Sequence, residues 1–208
     1  MKKIVIVVGI LIITIGGTLM YLSHMNYWPF QGDKVTGVPD GEIKNVRSQP
    51  SSDELSMLLA ASGEVDYNVK AKTMDVYFDV YKRDTRVRHE RVTAQAGEKA
   101  AQMNSRFVWG IPGSDMFAPS EIRVIMRNVQ ESYAQNTFVI PKGIFGKENG
   151  DSARTQPFED GKIKMGEKYI LQLWEFNKKY EAGDSNDPFS KEFLKEREQT
   201  VILYMVFN

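Results

Sequence analysis

The stretch MDVYFDVY, residues 74–81, sorts its side chains by turns. Met74, Val76, Phe78 and Val80 fall on one side, and Asp75, Tyr77, Asp79 and Tyr81 on the other. A period of two belongs to a β-strand. The split predicts a strand with one face in an apolar core and one face in water. Immediately after it, Lys82, Arg83 and Asp84 form a polar turn, and Val87 and Val92 continue into a second strand. The pair reads as a hairpin.

Working outward, further strands are expected at 106–110 (Phe107 and Trp109 on one face), 121–128 and 136–141, the last ending at Pro141, which has no N–H for a ladder. Residues 168–176 place Tyr169, Leu171 and Leu173 opposite Ile170, Trp174 and Phe176. The final stretch, TVILYMVF at 200–207, is apolar on both faces, so it has to lie centrally, covered on both sides. Three helical segments are expected among these strands. One opens the domain, with Ser52 as its cap, Leu55, Leu58 and Leu59 as its stripe, and Gly63 as its stop. A short helix or crossover is expected at 96–104. The third, at 187–198, has Asp187 as cap, Pro188 at the first helical position, and Phe189, Phe193 and Leu194 inward. The fold class is therefore mainly β: a β-sandwich-like domain with two or three short helices, preceded by a transmembrane helix.

That helix is the charge-free run at 4–23, headed by Lys2 and Lys3. At 1.5 Å per residue it spans a hydrocarbon core of ~30 Å. A cleavable signal has a shorter apolar core and small residues at its exit. Here Met20, Tyr21 and Leu22 stand there instead, so an uncleaved anchor is favoured over a signal peptide. Tyr21, Tyr27 and Trp28 suit the headgroup layer. No lysine or arginine follows the run until Lys34, so the positive-inside rule keeps residues 1–3 in the cytoplasm and exports the remainder. Residues 24–50, with Gly32, Gly37, Gly41, Pro39 and Pro50, read as an exit and flexible tether, or in part as a first edge strand. Residues 51–208 form the exported domain.

Composition narrows the function. Lys plus Arg number 27 and Asp plus Glu 27, so no global field draws in nucleic acid. With no cysteine, disulfides, thiolate catalysis and cysteine-ligated zinc are excluded. Together with the anchor, this points to a bacterial, Gram-positive, envelope. No phosphate-binding glycine motif is present, and no cofactor is expected. His89, one of two histidines, lies in a charged hairpin and reads as solvated rather than catalytic. Glu175, between Trp174 and Phe176, is the one carboxylate flanked by aromatics, and reads as outward-facing. The run Asp184, Ser185, Asn186, Asp187 lacks the glycine and glutamate of a calcium loop and reads as turn chemistry, so no metal is expected. The acidic stretch 148–160 reads as a long connection.

The strongest local anomaly is basic: Lys82, Arg83, Arg86, Arg88 and Arg91 against Asp84 and Glu90. Such a hairpin could meet an anionic lipid or wall polymer, or an acidic envelope protein. It could equally be a sheet edge guarded by charge. The functional expectation is a single-pass membrane protein that binds rather than catalyses. An accessory subunit of an envelope assembly and a wall-modifying hydrolase are the alternatives.

Overall fold

The computed structural model describes residues 2–46, 58–129, 133–145, 152–155, 158–176 and 187–208. The chain is mainly β, with an apolar helix at its N-terminus. That helix, α1 (Lys2–His24), has the composition and length to cross a membrane, and none of its apolar window from Lys3 to His24 is buried. Its two threonines do not leave polar groups loose. Thr14 Oγ1 donates to the Ile10 carbonyl at 2.9 Å, and Thr18 Oγ1 to the Thr14 carbonyl at 2.8 Å, which lowers the cost of a hydroxyl in hydrocarbon. Asn26, at φ 52°, turns the chain out of the helix in the left-handed conformation that asparagine tolerates.

The strands are β1 (Glu42–Val46), β2 (Leu59–Lys82), β3 (Thr85–Pro112), β4 (Glu121–Asn128), β5 (Tyr133–Val139), β6 (Ser152–Arg154), β7 (Gly161–Lys162), β8 (Lys168–Phe176) and β9 (Gln199–Phe207). One short helix, α2 (Lys191–Lys195), precedes β9, with Ser190 as its cap accepting from the Phe193 N–H. All nine strands belong to one antiparallel sheet, ordered β5-β4-β3-β2-β9-β8-β6, with β1 bridging β2 and β7. The mainly β class is found, as one open antiparallel sheet that bends over its own core. Phe78 on β2 and Phe138 on β5 are three ladders apart, which is ~14 Å in a flat sheet. Their rings lie 5.3 Å apart. Tyr67 likewise meets Phe207 edge-on at 5.1 Å. The curl follows from the long β2–β3 hairpin, whose register shifts between Ala71 and Thr73, where Ala71 pairs with Ala101 and Thr73 with Ala96. Extra residues on one strand of a pair bend and twist it, so the hairpin's two arms enclose one core.

Several local expectations change. Residues 59–62 and Gly63 lie in β2 rather than in a helix, and 96–104 continues β3. Gly63 is needed for space, not as a stop: a Cβ there would lie 2.0 Å from Trp109 Cζ2. The helical expectation at 187–198 contracts to the five residues of α2. The face of 75–81 expected in water is covered. Phe193, Leu194 and Phe189 pack with Tyr81, Tyr204, Ile202 and Leu173 into a second cluster on the back of the sheet. That cover is also what makes β9 two-faced, buried throughout 200–207 between β2 and β8. The capping residues around 52–55, the stretch 184–186 and much of 148–160 lie outside the described residues.

The segment after α1 packs onto the sheet. Residues 42–46 are β1, paired on both sides. Asn68, fully buried on β2, donates to the carbonyls of Val35 at 2.9 Å and Val38 at 2.7 Å and accepts from the Val35 N–H at 2.8 Å. Asn104 on β3 holds the Asp33 carbonyl at 2.9 Å.

Candidate functional site: the hairpin root and a cleft beside the N-terminal segment

The basic hairpin is the β2–β3 tip, turned at Arg83 with φ 51°. Its cations are in large part spoken for. Arg86 Nη1 reaches Asp79 Oδ2 at 3.5 Å, Arg88 meets Glu90 at 2.5 Å, and Arg91 meets Asp75 at 3.6 Å. Lys82 and Arg83 enter no ion pair among the described residues. The five cations therefore do not converge on one site, and three of them face carboxylates of the hairpin itself.

At the hairpin root lies a cluster that charge counting misses. Asp79 is fully buried, yet four side chains converge on it. Tyr81 and Tyr204 donate their hydroxyls to Oδ2 at 3.2 and 3.1 Å, His89 Nδ1 stands 2.6 Å from Oδ1, and Arg86 adds its charge. The His89 ring stacks on Tyr77 at 4.5 Å. Burial, and after it the Asp79 carboxylate, pushes the Tyr81 phenol up to about 12. The same two causes raise Tyr204. Lys168, whose ammonium lies 4.0 Å over the Phe189 ring, is lowered by burial. His89 is thus held by a buried carboxylate rather than freely solvated, and the cluster pins the hairpin to β9. The signal in the sequence was Asp79 itself, an acid in the middle of an apolar strand.

Glu175 also turns inward. It is buried, bound by Arg197 and, at 2.9 Å, by Arg154. The Arg197 guanidinium lies 3.3 Å over the Phe193 ring, so this ion pair ties α2 to β8. Each of its oxygens faces a guanidinium, and the outward-facing reading is corrected.

A cleft lies elsewhere, beside the segment leaving α1. A space of about 470 Å³ is lined by Gln31, Val35, Thr36, Arg106, Arg127 and Tyr133. A second, of about 460 Å³, shares Asn128 and Val129 with it and runs past Asp33, Gln95 and Gln102. Pairing across the ladders sets Lys44, Asp66, Arg106, Arg127 and Tyr133 in one row. Arg106 is fixed by a two-point bond to Asp66, at 2.7 and 2.8 Å, which holds it protonated. Its Nε also lies 2.7 Å from Glu64 Oε1, but that N–H is aimed at Asp66. Glu64 Oε1, buried, accepts no hydrogen bond among the described residues, and burial raises its carboxyl above the usual range. Sequence reading missed this row because its members come from five strands and converge only through register.

No group of three or more metal-ligating side chains occurs among the described residues. Comparison of the chain with family models, with curated proteins and with solved structures finds no match in any of the three.

Proposed function

We propose that the chain is a membrane-anchored, extracytoplasmic binding protein of a bacterial, Gram-positive, cell envelope, and that it is not an enzyme. One observation carries the reading. An apolar helix with none of its spanning window buried passes directly into a segment hydrogen-bonded to the sheet, so the β-domain would ride close to the bilayer rather than on a loose leash. Trp28, 82% exposed, and the exposed Tyr21 and Phe30 stand at the junction, where amphipathic rings favour headgroups. Lys2 and Lys3 at the other end support an inside N-terminus. The hairpin cations Lys82, Arg83, Arg86, Arg88 and Arg91 are retained as a partner surface only in their unpaired members, Lys82 and Arg83. The hydrolase alternative loses support because Glu175 is tied up in ion pairs.

The test uses the absence of cysteine. Ser114, exposed in the β3–β4 connection, is replaced by Cys and challenged with a membrane-impermeant maleimide on intact cells. Labelling of intact cells is expected. Labelling only after the membrane is opened would overturn the orientation.

A second reading, an accessory subunit, is favoured by β5. It ends the sheet, is exposed at six of its seven positions, and carries no charged residue from Tyr133 to Val139. Sheet edges are ordinarily guarded by charge or proline. A stoichiometric partner recovered from native membrane, and lost on Thr137→Lys, would support it.

A further inference from the structure

Arg106 and Arg127 are register partners on β3 and β4, and both line the larger cleft. Like charges directly opposite on neighbouring strands repel. Asp66 holds Arg106 by two hydrogen bonds at 2.7 and 2.8 Å, whereas Arg127, exposed, has no carboxylate within ion-pair distance among the described residues and feels Glu64 only as a more distant charge. Lys44, which shares the row, is drawn off to the Gly37 carbonyl at 2.7 Å. A guanidinium therefore stands in a cleft next to a second one already held rigid. Gln31, Thr36 and Tyr133 line the same cleft, and each side chain carries a group able to donate to an oxyanion.

We infer that this cleft is an anion site, and that its ligand is a phosphate ester held by Arg127 with Arg106 behind it. A guanidinium offers a planar fork that matches phosphate oxygens two at a time. The cleft wall at Gln31 follows the exposed Trp28 and Phe30 immediately in sequence. The phosphate then comes either from a lipid headgroup at the bilayer surface or from a soluble ester. This rests on the binding reading above and names the ligand chemistry of this cleft, but it does not depend on which side of the membrane the domain occupies.

The experiment places the full chain in maltoside micelles, which carry no phosphate, and titrates glycerol phosphate by calorimetry. Saturable binding that weakens with added salt is expected. Arg127→Gln is expected to weaken it about tenfold, while Arg88→Gln, on the hairpin, leaves it unchanged. Repeating the titration in nanodiscs containing phosphatidylglycerol, and in nanodiscs given the same charge by oleate, separates the sources. Loss of glycerol phosphate binding with phosphatidylglycerol but not with oleate makes the lipid headgroup the occupant, and equal binding in the two makes it the soluble ester. No saturable binding in the micelles, or equal binding by Arg127→Gln with unaltered circular dichroism, overturns the site. Maleimide labelling of Ser114→Cys reports on orientation alone, so failure of either idea is read separately.

Discussion

Asn26 and Asn68 both donate to the carbonyl of Val38, each at 2.7 Å, from opposite sides of the junction between helix and sheet. Both are buried, at 2% and 0% exposure. One belongs to the turn that ends α1 and the other to β2, so a single peptide oxygen joins the apolar helix to the domain. Asn68 also holds Val35 from both its oxygen and its nitrogen. Removing it strands several polar groups away from water. Asn68→Ala is expected to cost about 2 kcal/mol, and Asn26→Ala less, because Asn26 bonds otherwise to the exposed Asp40. Urea unfolding of the full chain in detergent measures both. Faster proteolysis within residues 31–41 should accompany the loss.

Gly63→Ala probes the curl. The added Cβ would sit 2.0 and 2.1 Å from Trp109 Cζ2 and Cη2, so the indole has to move. Trp109 is 3% exposed and stacks on Phe107 at 6.2 Å, which leaves it little room. A cost of about 1–3 kcal/mol is expected, with a changed near-ultraviolet dichroism from the displaced ring. Trp109→Leu in the same chain should restore part of the loss, and strict additivity of the two changes would refute the clash.

How far the sequence discloses such features depends on the range of the interaction. The alternation at 74–81, the bounds of β4 at 121–128 and of β8 at 168–176, and the charge-free helix are local patterns, and each is found where its period places it. The length of β2 and β3 was not legible. Gly63 and the alanines around it resemble a helix stop and its flank until Trp109 is known to lie opposite. The covered back of β2 was hidden for a related reason. Asp75 and Asp79 look like a wet face, and only Phe193 on α2 and Tyr204 on β9, brought in from far along the chain, make it a second core. The cleft is the extreme case, since Gln31, Arg106, Arg127 and Tyr133 share no motif.

Asp79 provides a third test. Asp79→Asn keeps the shape but removes the charge that answers His89 and Arg86, and its amide cannot accept at the nitrogen from the tyrosines. Breaking a buried charged set from one side is expected to cost about 3 kcal/mol. Tyr81 supplies an independent readout. Its phenol, held at about 12, should ionise closer to the ordinary ~10 once Asp79 is neutral, as seen by ultraviolet difference absorbance. Because the folded value is the higher one, this stability is full below ~10 and is lost as pH rises through about 12. An unmoved Tyr81 titration would remove Asp79 as a cause.

Glu64 gives the last prediction, with a sign opposite to that of most paired acids. Its carboxyl is raised, first by burial, and Arg106 does not cancel the effect because the guanidinium N–H serves Asp66. The folded chain therefore holds this proton more tightly than the unfolded chain does. That contribution is complete below the unfolded value of ~4.3 and is lost as pH rises through the higher folded value. Asp40 slopes the other way, since its bond to Lys34 lowers it and its contribution is lost as pH falls. Subtraction isolates Glu64. The stability of the wild type minus that of Glu64→Gln should decrease from pH ~4 to pH ~7, with the variant as stable as the parent, or more so, at the neutral end. Urea midpoints at the two pH values measure it, and a difference that grows with pH would mean that the ion pair with Arg106 outweighs burial after all.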